Sequence, residues 1–312
     1  MAADKAPLDP SAQSLLDKLA ELGGPKLHQL DPAHARQAIT LLGPLLNRDG
    51  PDLAETRPLT LPGAGNSEVT ATLLRGRDAP AGCPLILYFH GGGFVLQELP
   101  GHVAACGALA NAARAVVMAV DYRLAPEHPF PAAYDDALAA WRWAQGAAPA
   151  LDAGPVFVAG DSAGGNLAAG IALAAREADA PAGQILIYPW IDLSRRYPSR
   201  DDFGEGYFLE DATIDWFFRH YVGSTDPTDP RVSPMQAGTL TGAAPALIVL
   251  AGQDPLADEG RAYAQRLQKA GVDCTLSVLE GQIHGFLNLA PTADASDDAI
   301  ARIAAWVGAR TG

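Results

Sequence analysis

The sequence predicts an α/β protein with a mostly parallel sheet of about eight strands and helices on both faces. From about residue 55 onward, short apolar runs alternate with helical stretches, a pattern typical of parallel sheets built from strand–helix units. The runs are apolar throughout, as expected for strands buried on both faces. Of the 312 residues, 48% are hydrophobic, which is enough to fill one large core.

The predicted elements follow in chain order. The first two strands, Glu55–Leu61 and Val69–Leu74, are joined by a turn rich in Pro and Gly. The six further strands are Leu85–Phe89, Ala115–Val120, Val156–Ala159, Gln184–Tyr188, Ala246–Leu250 and Thr275–Leu279. Helices are predicted near residues 11–22, 31–43, 102–114, 132–146, 163–178, 256–270 and 295–309.

Two regions depart from this rhythm. Residues 1–50 have helical periodicity and no strand character, so they form an appendage to the domain that follows. Residues 190–242 contain one helical stretch, Glu210–Val222, between loops rich in Pro and Asp. An insertion of this length, where a single crossover would suffice, is typical of a binding element or a lid. We therefore expect residues 51–312 to form the main domain.

Composition excludes several classes of function. The net charge of −14 repels phosphate backbones and anionic lipid, so neither a nucleic-acid nor a membrane partner is expected. The three cysteines, Cys83, Cys106 and Cys274, have neither a CxxC spacing nor the spacing of a zinc site. No apolar segment resembles a signal peptide or a membrane span. These observations predict a soluble, cytoplasmic protein.

The strongest functional motif is Gly160-Asp161-Ser162-Ala163-Gly164, between a predicted strand and an Ala-rich helix. G-x-S-x-G in this context is typical of a nucleophile elbow, a strained turn that exposes the serine above the sheet. Glycines two positions from the serine are needed because a Cβ there would clash. A chance pentapeptide in a chain with 32 glycines is the alternative.

A second motif, His90-Gly91-Gly92-Gly93-Phe94, directly follows the strand Leu85–Phe89. Successive glycines let the backbone approach a substrate closely, with N–H groups that can hold a developing oxyanion. The alternative of a phosphate-binding loop is disfavoured because neither Walker A nor G-x-G-x-x-G is present. A plain glycine-rich turn is the other alternative.

A serine nucleophile requires a base and a residue that orients it. In this architecture the acid and then the histidine follow the serine along the chain. Only His220 and His284 follow Ser162, and His284 lies in a loop after the last strand. Asp254 follows the penultimate strand, where it could also serve as a helix N-cap. Asp258 and Glu259 compete with it, but they suit the first turn of the next helix.

Taken together, the motifs resemble those of the bacterial hormone-sensitive-lipase-like esterases (family IV) of the α/β-hydrolase superfamily. The resemblance spans about residues 55–312. The matching segments, in family order, are HGGGF at 90–94, DYRLAPEHPFPAA at 121–133, GDSAGGNLA at 160–168, DPLADEG at 254–260 and HGF at 284–286.

The resemblance implies an α/β-hydrolase fold, with residues 1–50 and 190–242 forming a helical cap over the site. It implies Ser162 as nucleophile, Asp254 as acid and His284 as base. It also implies oxyanion donors at the backbone N–H groups of Gly92, Gly93 and Ala163.

Other residues in the motifs are expected to brace the site rather than to act on substrate. They are His90, Asp121, Tyr122, Arg123, Glu127 and Asp161. Candidates for lining an acyl or alcohol pocket are Phe94, Phe208, Trp216 and Phe286. Packing within a cap explains the aromatic residues of the insertion equally well.

We expect a carboxylesterase that cleaves short-chain esters through an acyl-enzyme, without a metal or an organic cofactor. Its expected partner is a small-molecule ester, and a homodimer remains open. An amidase, arylformamidase or deacetylase with the same triad is the alternative. A ligand-binding protein on this fold is disfavoured because serine, acid and histidine are all present. A dehalogenase or epoxide hydrolase would need Asp in place of Ser162.

Overall fold

The computed structural model describes residues 6–97, 100–176 and 179–311, and in this part of the chain it contains one mixed sheet. Its eight strands are β1 (Glu55–Pro62), β2 (Glu68–Arg75), β3 (Cys83–Phe89), β4 (Val116–Asp121), β5 (Ala153–Asp161), β6 (Gly183–Ile187), β7 (Ala246–Gln253) and β8 (Cys274–Ile283). The predicted fold class is confirmed.

The strand order is β1-β2-β4-β3-β5-β6-β7-β8. β1 pairs antiparallel with β2, and β2 pairs antiparallel with β4. All pairs from β4 to β8 are parallel. The carboxyl ends of six strands therefore lie along one edge, where ligands bind in open α/β sheets.

Ten α-helices are found in the described residues. They are α1 (Pro10–Leu22), α2 (Pro32–Leu41), α3 (Gly43–Leu46), α4 (Pro100–Ala112), α5 (Ala132–Ala147), α6 (Ala163–Ala174), α7 (Pro198–Phe203), α8 (Asp211–Tyr221), α9 (Ala257–Lys269) and α10 (Ala293–Gly308). Short 3₁₀ turns include Leu27–Gln29, Ala64–Asn66, Ala148–Leu151, Pro234–Gln236, Phe286–Asn288 and Ala290–Thr292.

The central strands β3, β4, β6 and β7 are buried on both faces, whereas β1, β2 and β8 are partly exposed. Successive side chains of a strand point to opposite sides of the sheet. In β3, Leu85 and Leu87 belong to one apolar cluster, which also contains residues of α5, α6 and α9. Ile86 and Tyr88 belong to a second cluster, which contains residues of α4 and α10. The helices therefore cover the two faces as separate layers.

The N-terminal helices pack close to the C-terminal edge of the sheet. Ala12 and Leu15 of α1 share an apolar cluster with Ile283, the last residue of β8. Between α1 and α2, Lys26 forms an ion pair with Glu210 at the start of α8, with 2.6 Å between Nζ and Oε1. The N-terminal segment and the insertion are thus in contact with each other, as a two-part cap requires.

Two details of the predicted helices differ from the structure. The insertion contains a second, short helix, α7, so the prediction of a single helical stretch there was wrong. Six residues are too few to show helical periodicity. Helix α6 ends at Ala174, four residues before the predicted end. Residues 177 and 178 of that prediction lie outside the described residues.

Candidate active site

Ser162 occupies the sharp turn between β5 and α6. Its backbone has φ 53° and ψ −117°, a conformation that strains any residue other than glycine. A Cβ on Gly160 would lie 2.3 Å from a backbone atom of Gly164, and a Cβ on Gly164 would lie 1.9 Å from the carbonyl oxygen of Phe89. Both positions therefore require glycine. The turn is the elbow that the sequence predicts.

The structure brings Ser162, His284 and Asp254 together from three loops at the C-terminal edge. Nε2 of His284 lies 2.9 Å from Oγ of Ser162. Nδ1 of His284 lies 2.7 Å from Oδ2 of Asp254. With the ring proton on Nδ1 donated to the carboxylate, Nε2 can accept the proton of the serine hydroxyl.

Asp254 is fully buried and is held by the start of α9. Its Oδ1 accepts a hydrogen bond of 2.8 Å from the backbone N–H of Leu256. The carboxylate thus binds the backbone through Oδ1 and His284 through Oδ2. The N-cap position of α9 is occupied by Leu256, and no side chain caps this helix, so the N-cap role considered for Asp254 from the sequence is not observed.

The glycine-rich loop after β3 lies beside the elbow. Gly92 and Gly93 have φ values of 109° and 61°, which only glycine adopts without strain. The preceding amide, that of Gly91, donates a 3.0 Å hydrogen bond to Oδ1 of Asp161. Ala163 is the first residue of α6. The loop and the N-terminus of α6 are thus both adjacent to Ser162.

Buried polar side chains brace this loop. The Tyr122 hydroxyl donates a 2.7 Å hydrogen bond to the carbonyl of His90, whose ring stacks on the tyrosine ring at 4.5 Å. Nδ1 of His90 lies 2.6 Å from the carbonyl oxygen of Gly91. Burial, together with the nearby charge of His102, lowers the pKa of His90 from 6.5 to about 4. His90 is therefore a neutral hydrogen-bonding brace.

The polar residues of the segment 121–133 likewise bind protein groups. Arg123 makes a two-pronged ion pair with buried Asp136 on α5, at 2.8 and 2.7 Å. Glu127 pairs with Arg36 of α2 at 2.7 Å. That bond lowers the pKa of Glu127 from 4.5 to about 2. These contacts connect the loop after β4 to α5 and to the N-terminal segment.

The aromatic pocket candidates have different environments. Phe94 is fully buried and stacks on Tyr221 of α8, with 3.7 Å between ring centroids. Trp216 packs edge-on against Phe217 and against His220. Phe208 lies close to Gly285, since a Cβ on that glycine would be 3.2 Å from its ring. Phe208 is thus the candidate placed next to His284.

Phe286 is fully buried in the cluster beneath the sheet, where its ring packs against that of Tyr188 at 5.5 Å between centroids. It lies on the face covered by α4 and α10. Phe286 thus packs among core residues, and a place for it in a substrate pocket stays a prediction. Its position directly after Gly285 places it near His284 in sequence, but its side chain is directed into the core.

Phe217 contacts the glycine-rich loop, although the pocket candidates did not include it. A Cβ on Gly93 would lie 2.1 Å from the Phe217 ring. Both Phe217 and Ser162 are largely buried, with exposed fractions of 6% and 7%. An aromatic ring of the insertion therefore lies directly over the loop. In the sequence, Trp216, Phe217 and Phe218 are consecutive, so nothing in the pattern distinguishes Phe217.

Glu259 has a role that its position in the first turn of α9 did not predict. Its carboxylate is buried and accepts hydrogen bonds from the N–H groups of Ile191 and Asp192, at 2.6 and 3.3 Å. Burial raises the pKa of Glu259 well above its usual value. Its neighbour Asp258 accepts a bond from the N–H of Ser199. Both acids thus attach the insertion to the helix that follows Asp254.

Within residues 6–97, 100–176 and 179–311, no group of three or more His, Cys, Asp and Glu side chains is arranged to hold a metal ion. No helix there combines the length and the apolar character needed to cross a membrane.

Comparison with known proteins assigns the family. Residues 86–288 match a family model described as having the alpha/beta hydrolase fold. The chain therefore belongs to the α/β-hydrolase family, in its hormone-sensitive-lipase-like branch. It is 43% identical to the "Ethyl acetate hydrolase" of Pseudomonas putida over 224 residues, or 70% of each chain. It is 40% identical to the "Carboxylic ester hydrolase LipN" of Mycobacterium tuberculosis over 303 residues, or 90% of this chain and 77% of that one.

Solved structures agree with this assignment. The ester hydrolase EH1AB1 from the metagenome of Lake Arreo, solved with a derivative of bipyridine phosphonate, has a TM-score of 0.91 at 42% identity. That comparison covers 97% of this chain and 98% of the other. A thermostable esterase from Pseudomonas putida has a TM-score of 0.92 at 30% identity, covering 100% and 99% of the two chains.

Proposed function

We propose that the protein is a carboxylesterase that hydrolyses short-chain esters with Ser162 as nucleophile, His284 as base and Asp254 as acid. The hydrogen-bonded chain from Ser162 Oγ through His284 to Asp254, at 2.9 and 2.7 Å, carries this proposal. The relatives named above are all esterases, which supports ester hydrolysis as the reaction class.

The reaction begins when Ser162 Oγ attacks the ester carbonyl carbon and its proton passes to Nε2 of His284. Asp254 orients the ring and stabilises the imidazolium that forms. The carbonyl electron pair moves to the oxygen, which the N–H groups of Gly92, Gly93 and Ala163 stabilise. The imidazolium then protonates the departing alcohol, which leaves an acyl group on Ser162.

Water completes the cycle. His284 removes a proton from a water molecule while the water oxygen attacks the acyl carbon. The same oxyanion donors stabilise the second tetrahedral intermediate. Its collapse returns the proton to Ser162 and releases the carboxylic acid. Every proton transfer uses Nε2 of His284, so no metal or organic cofactor is needed.

Short acyl chains are favoured by the aromatic cover of the site. Phe217 lies against Gly93 and Phe208 lies against Gly285, so large rings lie against the glycine-rich loop and against the residue that follows His284. A cap formed by residues 1–50 and 190–242 over a largely buried serine suits a small soluble ester better than a triglyceride at an interface.

The test is a panel of p-nitrophenyl esters from acetyl to palmitoyl, with the wild type assayed beside Ser162→Ala. We expect a short-chain optimum and loss of activity in the variant, with circular dichroism unchanged. Matched anilides in the same assay separate an esterase from an amidase. A folded wild type that turned over the anilides but not the esters would contradict the proposal.

A further inference from the structure

Asp161, the residue before the proposed nucleophile, is a buried carboxylate that the mechanism above does not use. It is 3% exposed. Its Oδ1 accepts hydrogen bonds from the Tyr88 hydroxyl at 2.8 Å and from the Gly91 N–H at 3.0 Å. Its Oδ2 lies 3.0 Å from Nδ2 of Asn288 and 3.3 Å from Nε2 of His102.

These four partners come from separate parts of the chain. Tyr88 is in β3, His102 is in α4, and Asn288 is in the turn that follows His284. Gly91 belongs to the glycine-rich loop. One carboxylate therefore connects the elbow to the loop on one side and to the His284 turn on the other.

The contact with the loop is close enough to fix its position. A Cβ on Gly91 would lie 2.5 Å from Oδ2 of Asp161 and 3.1 Å from its carbonyl oxygen. The loop backbone thus rests directly on the Asp161 residue. The Gly91 amide donates its hydrogen bond to the Asp161 carboxylate, and Gly92 and Gly93 follow Gly91 directly along the loop.

The carboxylate remains charged in this environment. Burial alone would raise the pKa of Asp161, but His102 and the Tyr88 hydroxyl together hold the pKa below its usual value. A charged acceptor makes stronger hydrogen bonds than a neutral one, and in a buried setting these bonds are also directionally rigid.

We infer that Asp161 is a positioning residue for the oxyanion hole: through the Gly91 N–H it sets the distance of the Gly92 and Gly93 amides from Ser162. This inference rests on the proposed function. Oxyanion donors are effective only when they are held in place before charge develops. The expected consequence is an effect on the transition state with little effect on substrate binding.

The test compares Asp161→Ala with Asp161→Asn in steady-state hydrolysis of p-nitrophenyl acetate. Ala removes the acceptor for Gly91, and we expect kcat to fall about 100-fold with KM within about threefold of the wild type. Asn keeps a carbonyl oxygen that can accept the Gly91 N–H, so we expect it to retain kcat within about tenfold.

A second readout is the inhibition constant of an alkyl trifluoromethyl ketone, which forms an oxyanion on the serine. In Asp161→Ala it should rise by about the same factor as kcat falls, because both depend on the same donors. Should Asp161→Ala fail to fold, Asp161→Ser replaces it, because a hydroxyl is too short to reach the Gly91 amide.

The matched control for stability is Gln184→Leu. Gln184 is a buried residue at the start of β6 whose Nε2 donates to the carbonyl of Ala244 at 2.8 Å. It lies at the opposite end of β6 from Ile187, which binds the Ser162 N–H. We expect the Gln184→Leu variant to have a lower free energy of unfolding than the wild type, with kcat and the inhibition constant unchanged.

Two results would overturn the inference. The first would be a folded Asp161→Ala variant whose kcat and inhibition constant equal those of the wild type. The second would be a kcat that falls in proportion to the loss of unfolding free energy in every variant, with equal losses in Asp161→Asn and Asp161→Ala. If the wild type itself hydrolysed no ester, the proposed function would fail instead.

Discussion

The C-terminal edge of the sheet and the insertion 190–242 contribute to the same site in different ways. At the edge, Ser162, Asp254 and His284 are placed by strand ends and by turns with strict steric requirements. In the insertion, Phe208 and Phe217 are placed by packing, with their rings lying against glycines of the edge. The first region carries the proposed chemistry, and the second places aromatic rings against it.

This difference indicates where substitutions should have separable effects. Changes at the edge should affect the rate of the chemical step, because they alter groups that meet the reacting atoms. Changes in the insertion should affect which ester is accepted and how well the cap is held. The two regions meet through hydrogen bonds at Asp258 and Glu259, and through ring packing at Gly93 and Gly285.

The largest expected effect is at the elbow. Ser162→Gly removes the nucleophile and also relieves a backbone strain that glycine does not feel. We expect activity to fall by about 10⁶-fold. We expect unfolding in urea to show a gain of about 1 kcal/mol over Ser162→Ala, which keeps the strain. A Gly variant less stable than the Ala variant would show that the elbow stores no strain.

The next effect compares two neighbouring acids. Asp254→Asn should lower kcat by about 10⁴-fold, because the amide disturbs the orientation and tautomer of His284. Asp258→Asn is the matched control, since its carboxylate binds the Ser199 N–H of the insertion instead. We expect its kcat to stay within about tenfold. Equal losses in the two variants would contradict the assignment of Asp254.

The contact between the two regions can be measured with a double-mutant cycle. Gly93→Ala would place a Cβ 2.1 Å from the Phe217 ring, so we expect kcat/KM to fall by about 100-fold as the loop shifts. Phe217→Ala in the same chain removes the clash and should restore part of that loss. A positive φ at Gly93 limits the rescue. Fully additive losses would mean that the ring does not act on the loop.

The last prediction, which leaves catalysis aside, is a pH dependence of stability from His90. Its pKa is about 4 in the folded protein against 6.5 ordinarily, so between these values the unfolded chain binds a proton that the folded chain does not. The free energy of unfolding should therefore fall as the pH drops through this window, by up to about 1.4 kcal/mol per pH unit from this group.

Urea titrations give the free energy of unfolding of the wild type and of His90→Gln at pH 7, 5.5 and 4.5. The contribution of His90 is the difference between the two proteins in the slope of this free energy against pH. Gln cannot titrate, so its curve should be flatter over the same window. Parallel curves would show that His90 is not held neutral by burial.

The sequence predicted the edge better than the insertion, for physical reasons. Steric limits require glycine at positions 160, 164, 92 and 93. The motifs that these glycines form with and near Ser162 can therefore be recognised in the linear sequence. The pairing of His284 with Asp254 follows from strand order.

The placement of Phe217 rather than Trp216 over Gly93 could not be predicted, because it depends on the rotation of α8 against the sheet. Likewise, a charged residue in the first turn of a helix normally faces solvent, which gave no reason to expect Glu259 to be buried beneath Ile191. The direction of the Phe286 side chain could not be predicted for a related reason. Its motif neighbour His284 faces the site, whereas the intervening Gly285, with φ 82°, reverses the chain so that Phe286 enters the core.

The most direct test of the central claim is stoichiometric labelling with a p-nitrophenyl alkylphosphonate, followed by mass spectrometry of the digested protein. We expect one phosphonyl group per chain on Ser162, complete loss of esterase activity with one equivalent of released p-nitrophenol, and no labelling in His284→Ala. Labelling at another residue, or full esterase activity after Ser162 is blocked, would contradict the account.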